Sequence, residues 1–232
     1  MANLSNYRQD VVDAAKELVA LGIMTKSNHG NLSMKVPGTD TYLLTAGGSL
    51  ASLKPENIAL FDREGALLEG TVQPVGAEII QMHGIVYRKR DEFSSVLHTH
   101  SPFATGFAVA GVAIPPAYEA LIRGGSLDGV PVAGYGPRGS DLSVNNIAAV
   151  LEEYVDIKSL LLENHGVLTF GDSLQAAIRA NMTLEEAAEI TLNAFKLGGP
   201  KLIPSEMIKS TRERAASFAA AGTYTAGSNP GT

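Results

Sequence analysis

Residues 94–111 read SSVLHTHSPFATGFAVAG, a short apolar run that carries two histidines and passes into a helix-like pattern. The length and apolar character of SSVLHTH predict a buried strand, and SPFATGFAVAG is typical of the start of a helix. Side chains two residues apart share one face of a strand, so His98 and His100 are expected to project together. The pair is either half of a metal site or two histidines on a half-exposed strand, and this motif alone does not decide between them.

A second apolar stretch, LLLENHGVLTFG at residues 160–171, is interrupted by the polar segment Glu163-Asn164-His165-Gly166. Glycine permits close approach of another backbone, and functional residues concentrate at such breaks. A capped turn is the alternative for His165 alone. Together with His98 and His100, His165 would complete a set of three imidazoles that leaves coordination positions open, as in catalytic metal sites.

The rest of the chain mixes helix and strand patterns without an internal repeat or a long linker. We therefore predict one α/β domain over residues 1–232, with a mainly antiparallel sheet covered by helices. The Gly/Ser/Pro-rich tail from about residue 220 is expected to be flexible. Helices are predicted over residues 5–22, 76–89, 140–155 and 173–198, and strands within residues 27–36, 41–48, 58–62 and 130–140.

Composition excludes several classes of protein. The 232 residues contain no cysteine, which removes disulfides, zinc–thiolate sites and a cysteine nucleophile. The net charge is −6, and without a dense Lys/Arg patch we expect neither nucleic acid nor an anionic membrane as partner. No apolar run approaches the roughly 20 residues that span a bilayer, and the N-terminus lacks the pattern of a secretory signal. A cytoplasmic protein is expected.

Three motifs, HTHSPFATGFAVAG, LLLENHGVLTFG and GNLSMKV, closely resemble the class II aldolase/adducin-type family, and the resemblance runs from about residue 7 to residue 198. It implies a three-layer α/β/α fold and a homotetramer with sites at subunit interfaces. It also implies a small-molecule substrate and one divalent metal ion per chain on His98, His100 and His165. Zinc is commonest in the family's aldolases, and manganese, cobalt or iron occurs in other members.

The chain departs from the family pattern around Glu78. The aldolases carry Ser-Ser-Glu, with the Glu four residues before a helix histidine that matches His83. Counting back four residues reaches Ile79, and Glu78 is one place earlier. Either a one-residue bulge brings Glu78 to the catalytic position, or the register is normal and Glu78 stands where relatives bind phosphate with Ser. The simplest alternative is a first-turn acid favoured by the helix dipole.

The resemblance also implies a substrate-binding set, which is altered here. The family's Gly-Asn-x-Ser turn matches Asn31 and Ser33, and its Thr-Pro-Thr/Ser-Gly turn is Thr45-Ala46-Gly47-Gly48, without the second hydroxyl. His29 precedes the first turn. A carboxylate at Glu78 would repel a phosphate dianion at short range, so a carboxylate-bearing substrate is favoured over a sugar phosphate. The candidates for substrate binding are Asn31, Ser33, Thr45, Gly47, Gly48 and His29.

A second catalytic group is expected after Ile114-Pro115. The family places a tyrosine there in fuculose-phosphate aldolases and a glutamate in its dehydratase branch, and the position falls on Glu119 with Tyr118 beside it. A carboxyl group there transfers protons only if burial raises its pKa toward neutrality. The alternatives are an interface aromatic residue and a solvated acid.

The predicted function is that of a divalent-metal-dependent carbon–carbon lyase, an aldolase or a decarboxylase. It would form a metal-stabilised enolate from a small hydroxy or keto substrate. A dehydratase or sugar-phosphate 4-epimerase could use the same site, as could an iron-dependent oxygenase. A non-catalytic adducin-like interaction domain is the alternative from another class, but such copies tend to lose the three histidines, which this chain retains.

Overall fold

The computed structural model describes residues 4–46 and 49–221 and shows an eight-stranded sheet in the order β4-β3-β2-β1-β5-β8-β7-β6. Neighbouring strands are antiparallel except the β6–β7 pair at one edge, which is parallel. The mainly antiparallel sheet is as predicted. The strands are β1 (Gly30–Lys35), β2 (Thr41–Thr45), β3 (Ile58–Asp62), β4 (Leu67–Glu69), β5 (Ser95–Thr99), β6 (Val132–Ala133), β7 (Ser159–Leu162) and β8 (Gly166–Gly171).

Seven α-helices accompany the sheet in the described part of the chain. Ser140 caps one of them, because its hydroxyl accepts the Ser143 N–H at 3.2 Å. The helices are α1 (Leu4–Ala20), α2 (Pro74–Lys89), α3 (Pro102–Ala110), α4 (Glu119–Gly124), α5 (Asp141–Glu153), α6 (Leu174–Lys196) and α7 (Ser205–Ala221).

Helices cover both faces of the sheet, which gives the three-layer α/β/α fold. On one face, α2 and α5 pack their apolar stripes against alternate residues of β2, β3, β5, β7 and β8. On the other face, α1, α3, α4 and α6 bury the remaining alternate residues. Val96 belongs to the first cluster and Leu97 to the second, so the alternation along β5 sends His98 to the face of α2 and α5.

The structure adds three elements that the sequence patterns did not predict. The edge strand β4 is exposed at each of its three residues, so it has no buried face to create an alternating pattern. Helix α4 has only six residues. Helix α7 is mostly exposed and lacks a continuous apolar stripe, although it is rich in residues that favour helix.

Helix α7 extends to Ala221, and residues 222–232, most of the expected flexible tail, lie outside the described residues. None of the helices in the described ranges combines the length and apolar character needed to cross a membrane.

Candidate metal centre

The three histidines lie where β5 ends and β8 begins. The two strands are antiparallel neighbours, with Thr99 opposite Val167, so the end of one strand lies beside the turn that leads into the other. The ring centroids are 4.7 Å apart for His98 and His165, 5.0 Å for His98 and His100, and 5.2 Å for His100 and His165. One ring nitrogen from each histidine lies within 4.8 Å of the others. The structure therefore brings the three predicted ligands together.

Gly166 makes this approach possible. A Cβ atom there would lie 2.7 Å from the Thr99 carbonyl oxygen and 2.7 Å from Cδ2 of His100, both too close for a side chain. Asn164, two residues before Gly166, has a φ of +58°, a left-handed conformation that asparagine tolerates better than most residues. Asn164 N–H also donates to the Ala108 carbonyl at 3.1 Å. The segment of residues 163–166 is thus a tight turn that places His165 beside the end of β5.

A buried polar network supports the segment that follows β5. Asn181 of α6 donates through Nδ2 to the Thr99 hydroxyl at 2.8 Å, and its Oδ1 accepts from Ser101 at 3.2 Å. One turn further along α6, the Glu185 carboxylate accepts the N–H groups of Phe103 and Ala104 at 2.8 and 2.9 Å. This caps the amino end of α3. Both ends of the segment containing His100 are therefore anchored to α6.

The protonation of the cluster suits metal binding. Nδ1–H of His98 donates to the Val167 carbonyl at 3.0 Å, which leaves Nε2 as the free ligand atom. His100 Nε2 is buried with no hydrogen-bond partner among the described residues. Burial, with the positive charge of neighbouring groups, lowers the pKa of His98 well below its usual value and that of His165 to about 4.

Neutral imidazoles with an unsatisfied nitrogen are the donor set that zinc and related divalent ions prefer. His98, His100 and His165 fit such an ion and would hold it. Three protein ligands would leave coordination positions for a substrate, which is the pattern of a catalytic rather than a structural site.

The cluster opens into a cavity of about 380 Å³. Among the predicted substrate-binding residues, His29, Asn31 and Thr45 line this cavity, but Ser33 does not. Gly47 and Gly48 lie outside the described residues. Gly76, in the first turn of α2, also lines the cavity, so the positive end of that helix dipole faces it.

Ser33 acts beneath the cavity as part of a buried hydrogen-bonded chain. Its hydroxyl lies 2.7 Å from both the Tyr87 hydroxyl and Nδ1 of His83, and Nε2 of His83 contacts Oδ1 of Asn31. Burial raises the pKa of Tyr87, so this phenol keeps its proton, and Ser33 is its only side-chain partner among the described residues. The arrangement that satisfies every group runs from Tyr87 to Ser33 to Nδ1 of His83, and Nε2–H of His83 then donates to Asn31.

This chain of hydrogen bonds turns the amide oxygen of Asn31 toward His83 and leaves its NH2 group to donate elsewhere. A free amide donor at a cavity wall suits an anionic oxygen of a ligand. His83 is not among the site residues predicted from the sequence, because its contact with Asn31 forms only in the tertiary structure.

Glu78 lies on the first turns of α2, outside the histidine cluster. Its Oε2 pairs with Nε of Arg138 at 2.5 Å, and Arg138 lines the cavity. Helix α2 is uninterrupted from Pro74 to Lys89, so no bulge moves Glu78 toward the histidines. On sequence alone, Arg138 is a loop arginine that could hold a carboxylate in bidentate fashion, but a solvated arginine is the commoner interpretation of such a position.

Tyr118 and Glu119 do not line the cavity of their own chain. The Tyr118 hydroxyl donates to Glu186 of α6 at 3.0 Å, and this bond raises the pKa of the phenol. Glu119 is the exposed first residue of α4. A catalytic role for either residue therefore stays a prediction that requires a neighbouring subunit.

The fold and the histidine cluster define a three-layer α/β/α protein with a candidate catalytic metal centre. Residues 9–192 match the family described as Class II Aldolase and Adducin N-terminal domain, and the chain belongs to this family.

Similar proteins include three sugar-phosphate aldolases. The 5-deoxy-D-ribulose 1-phosphate aldolase of Bacillus thuringiensis is 26% identical over 91% of this chain and 96% of its own length. The 5-methylthioribulose-1-phosphate/5-deoxyribulose-1-phosphate aldolase of Rhodospirillum rubrum is 29% identical over 89% of this chain and 90% of its own. A solved L-fuculose 1-phosphate aldolase superposes with a TM-score of 0.81 at 28% identity, covering 89% of this chain and 94% of the other.

Metal analysis of the purified protein tests the centre. We expect about one divalent ion per chain in the wild type, and its loss in His98→Ala and His165→Ala, because two imidazoles bind such an ion far more weakly than three. His29→Ala is the matched control, since His29 lines the cavity outside the cluster. Full metal content in both triad variants, or its loss in the control, would contradict the assignment.

The stability of the metal-free protein should depend on pH through the buried histidines. Burial lowers the pKa of His83 to about 3 in the folded protein, whereas the pKa in the unfolded chain is about 6.5. Above pH 6.5 the imidazole is neutral in both states, so the contribution of His83 to the free energy of unfolding has its full value. The contribution is lost as the pH falls from about 6.5 toward 3, because the unfolded state then binds the proton that the folded state excludes. Each such group adds a slope of about 1.4 kcal/mol per pH unit in that window.

Denaturant unfolding of the metal-free protein at pH 7.5, 6.0 and 5.0 measures this slope, with His83→Gln as the comparison. The variant should show a shallower decline below about pH 6.5, because glutamine does not titrate. Identical slopes in the two proteins would rule out His83 as a source of the dependence.

Proposed function

We propose that this chain is a divalent-metal-dependent carbon–carbon lyase that cleaves a short phosphorylated ketose by a retro-aldol reaction. The observation that carries the proposal is the convergence of His98, His100 and His165 on a cavity that also presents the Asn31 amide. The similar proteins support the reaction and the substrate class, because the three described above are named as aldolases of ketose 1-phosphates.

A bound divalent cation would supply a Lewis acid that withdraws charge from a substrate carbonyl. Neighbouring residues of the chain hold the histidine ligands in position for this chemistry. Val167 fixes the tautomer and the ring orientation of His98, and Asn181 and Glu185 hold the segment that carries His100. These supports reduce the reorganisation that the ligands need when the reaction begins.

The anionic end of the substrate would lie between Asn31 and the amino end of α2. The amide of Asn31 donates a hydrogen bond, and the helix dipole adds a partial positive charge near Gly76. Arg138 neutralises Glu78 through their ion pair. The repulsion between Glu78 and a phosphate, which favoured a carboxylate-bearing substrate in the sequence, is weakened for that reason.

Glu78 is the group that we assign to proton transfer. Retro-aldol cleavage needs a base that takes the proton of the cleaved alcohol and an acid that returns a proton to carbon. A substrate in the cavity would lie beside the Arg138–Glu78 ion pair, because Arg138 lines the cavity wall. The Glu78 carboxylate would then accept the proton while the guanidinium still balances its charge.

A carboxylate-bearing substrate is the second candidate, with cleavage by loss of carbon dioxide. Two observations favour it. Ala77 and Glu78 replace the serines that relatives in the resembled family use for phosphate, and Arg138 offers the planar fork that binds carboxylates in bidentate fashion.

An assay of bond cleavage separates these candidates. The metal-loaded protein should release an aldehyde from 5-deoxyribulose 1-phosphate or fuculose 1-phosphate, and Asn31→Ala should raise KM about tenfold with a smaller effect on kcat, because it removes one charge-assisted hydrogen bond to the anion. Asn145→Ala is the matched control, because Asn145 is exposed on α5 and lies outside the cavity lining.

Carbon dioxide release from a hydroxy or keto acid, without aldehyde release from the phosphates, would replace the aldolase with the decarboxylase. Turnover of neither class by metal-loaded protein would overturn the lyase proposal and favour the adducin-like interaction domain.

We further propose that the chain assembles as a homotetramer whose subunits share their sites. Exposed apolar side chains of α3, α6 and the turn after α3 surround a shallow cavity of about 500 Å³, with Phe195 49% exposed and Val112 43% exposed. Contiguous apolar patches of this kind commonly mark protein interfaces. A partner subunit would then bring Glu119 and Tyr118 to the metal cavity of its neighbour.

Subunit complementation tests the shared site. Glu119→Gln and His165→Ala should each be inactive alone, but mixed tetramers made by co-expression should recover activity, because some sites then receive both intact residues. Light scattering gives the mass of the assembly. A monomer in solution, or mixed tetramers that stay inactive, would refute the shared site.

A further inference from the structure

A second cavity of about 400 Å³ lies at the opposite end of β8 from His165. It is bounded by Gly171 at the end of β8, by the first turns of α6, and by α4 and α7. Strand β8 is six residues long, so at about 3.3 Å per residue the two cavities are roughly 20 Å apart. Their linings have no residue in common.

Three cations line this cavity from three different elements. Lys158 precedes β7, Arg179 lies on α6 and Arg212 lies on α7. Lys158 and Arg212 converge at Gly125, where an added Cβ atom would be 3.2 Å from Cε of the lysine and 3.7 Å from Nη2 of the arginine. The cations are far apart in sequence, and only the folded chain assembles them.

The position of Arg212 is set by a contact with the backbone. Its Nη1 donates to the carbonyl oxygen of Arg123, at the end of α4, at 2.6 Å. This bond fixes the guanidinium beside Lys158 and leaves other N–H groups of the same fork to donate to a ligand.

The cations of this lining outnumber its acids. Within the described residues, no carboxylate oxygen lies within 4.0 Å of the charged nitrogens of Lys158, Arg179 or Arg212. Asp172 is the single acid of the lining. Burial lowers the pKa of Lys158, Arg90 and Arg212 lower it further, and the carboxylates of Glu92 and Asp172 partly offset these effects. This cluster contrasts with the net charge of −6 over the whole chain.

A further feature suits an oxyanion. The cavity lies at the amino end of α6, a 23-residue helix whose dipole adds partial positive charge there. Arginine forks combined with a lysine are the usual partners of phosphate oxygens.

We propose that this cavity is a binding site for the phosphate group of a small metabolite, separate from the metal centre. Arg179 and Arg212 would donate paired N–H groups to the phosphate oxygens, and Lys158 would add a third positive charge. An anion there would also link α4, α6 and α7, which carry the cavity walls. The inference does not depend on the reaction at the metal centre.

Calorimetric titration of the full chain with inorganic phosphate tests the site. The titration is done in the wild type and in a double variant, Asn31→Ala with His165→Ala. Any phosphate that binds at the metal centre of the wild type should no longer bind there in the double variant. Binding at the second cavity should persist in the double variant and weaken as ionic strength rises. Arg179→Gln and Arg212→Gln, each added to the double variant, should weaken it about tenfold through the loss of charge-assisted hydrogen bonds.

Arg214→Gln is the matched control, because Arg214 lies on the same helix as Arg212 but outside the cavity lining. In the same background it should leave phosphate affinity unchanged, and thermal unfolding of each variant shows whether the fold is retained. Absence of phosphate binding in the folded double variant, or equal affinity with folded Arg179→Gln and Arg214→Gln, would overturn the proposal.

Discussion

The close contact between β5 and the turn before β8 is the constraint on which the candidate metal centre depends. Gly166 lies against the Thr99 carbonyl and the ring of His100, at distances that exclude any side chain. The antiparallel ladder between the strands sets this contact, because it aligns Thr99 with Val167. A strand register shifted by one residue would turn His98 to the opposite face of the sheet and separate the cluster.

Several buried polar groups around the centre form hydrogen bonds that also determine their direction, whereas Nε2 of His100 is left without a partner among the described residues. His98 donates to a backbone carbonyl, and the chain from Tyr87 through Ser33 to His83 gives Asn31 one orientation. An unpaired buried polar group costs about 1–3 kcal/mol, so the alternative orientations are disfavoured. The same contacts that stabilise the fold therefore decide which atoms face the cavity.

The ends of β8 have different chemical surroundings. Neutral imidazoles and an amide donor gather at the start of the strand, whereas three cations and the amino end of α6 gather at its end. Burial accounts for the first arrangement, because it disfavours charged histidines. The second arrangement is more exposed, so its cations keep part of their hydration and remain available to an anion.

Local patterns were enough to predict most strands and helices and the candidate ligands, and the family resemblance predicted the three-layer fold. His98 and His100 were predictable because a strand places alternate residues on one face. The short β4, the six-residue α4 and the exposed α7 were not, since none of them has a buried stripe to mark its period. The pairing of Arg138 with Glu78 and the contact of His83 with Asn31 became visible only in the folded chain. Those contacts join residues more than 50 positions apart, and local periodicity carries no information about such distances.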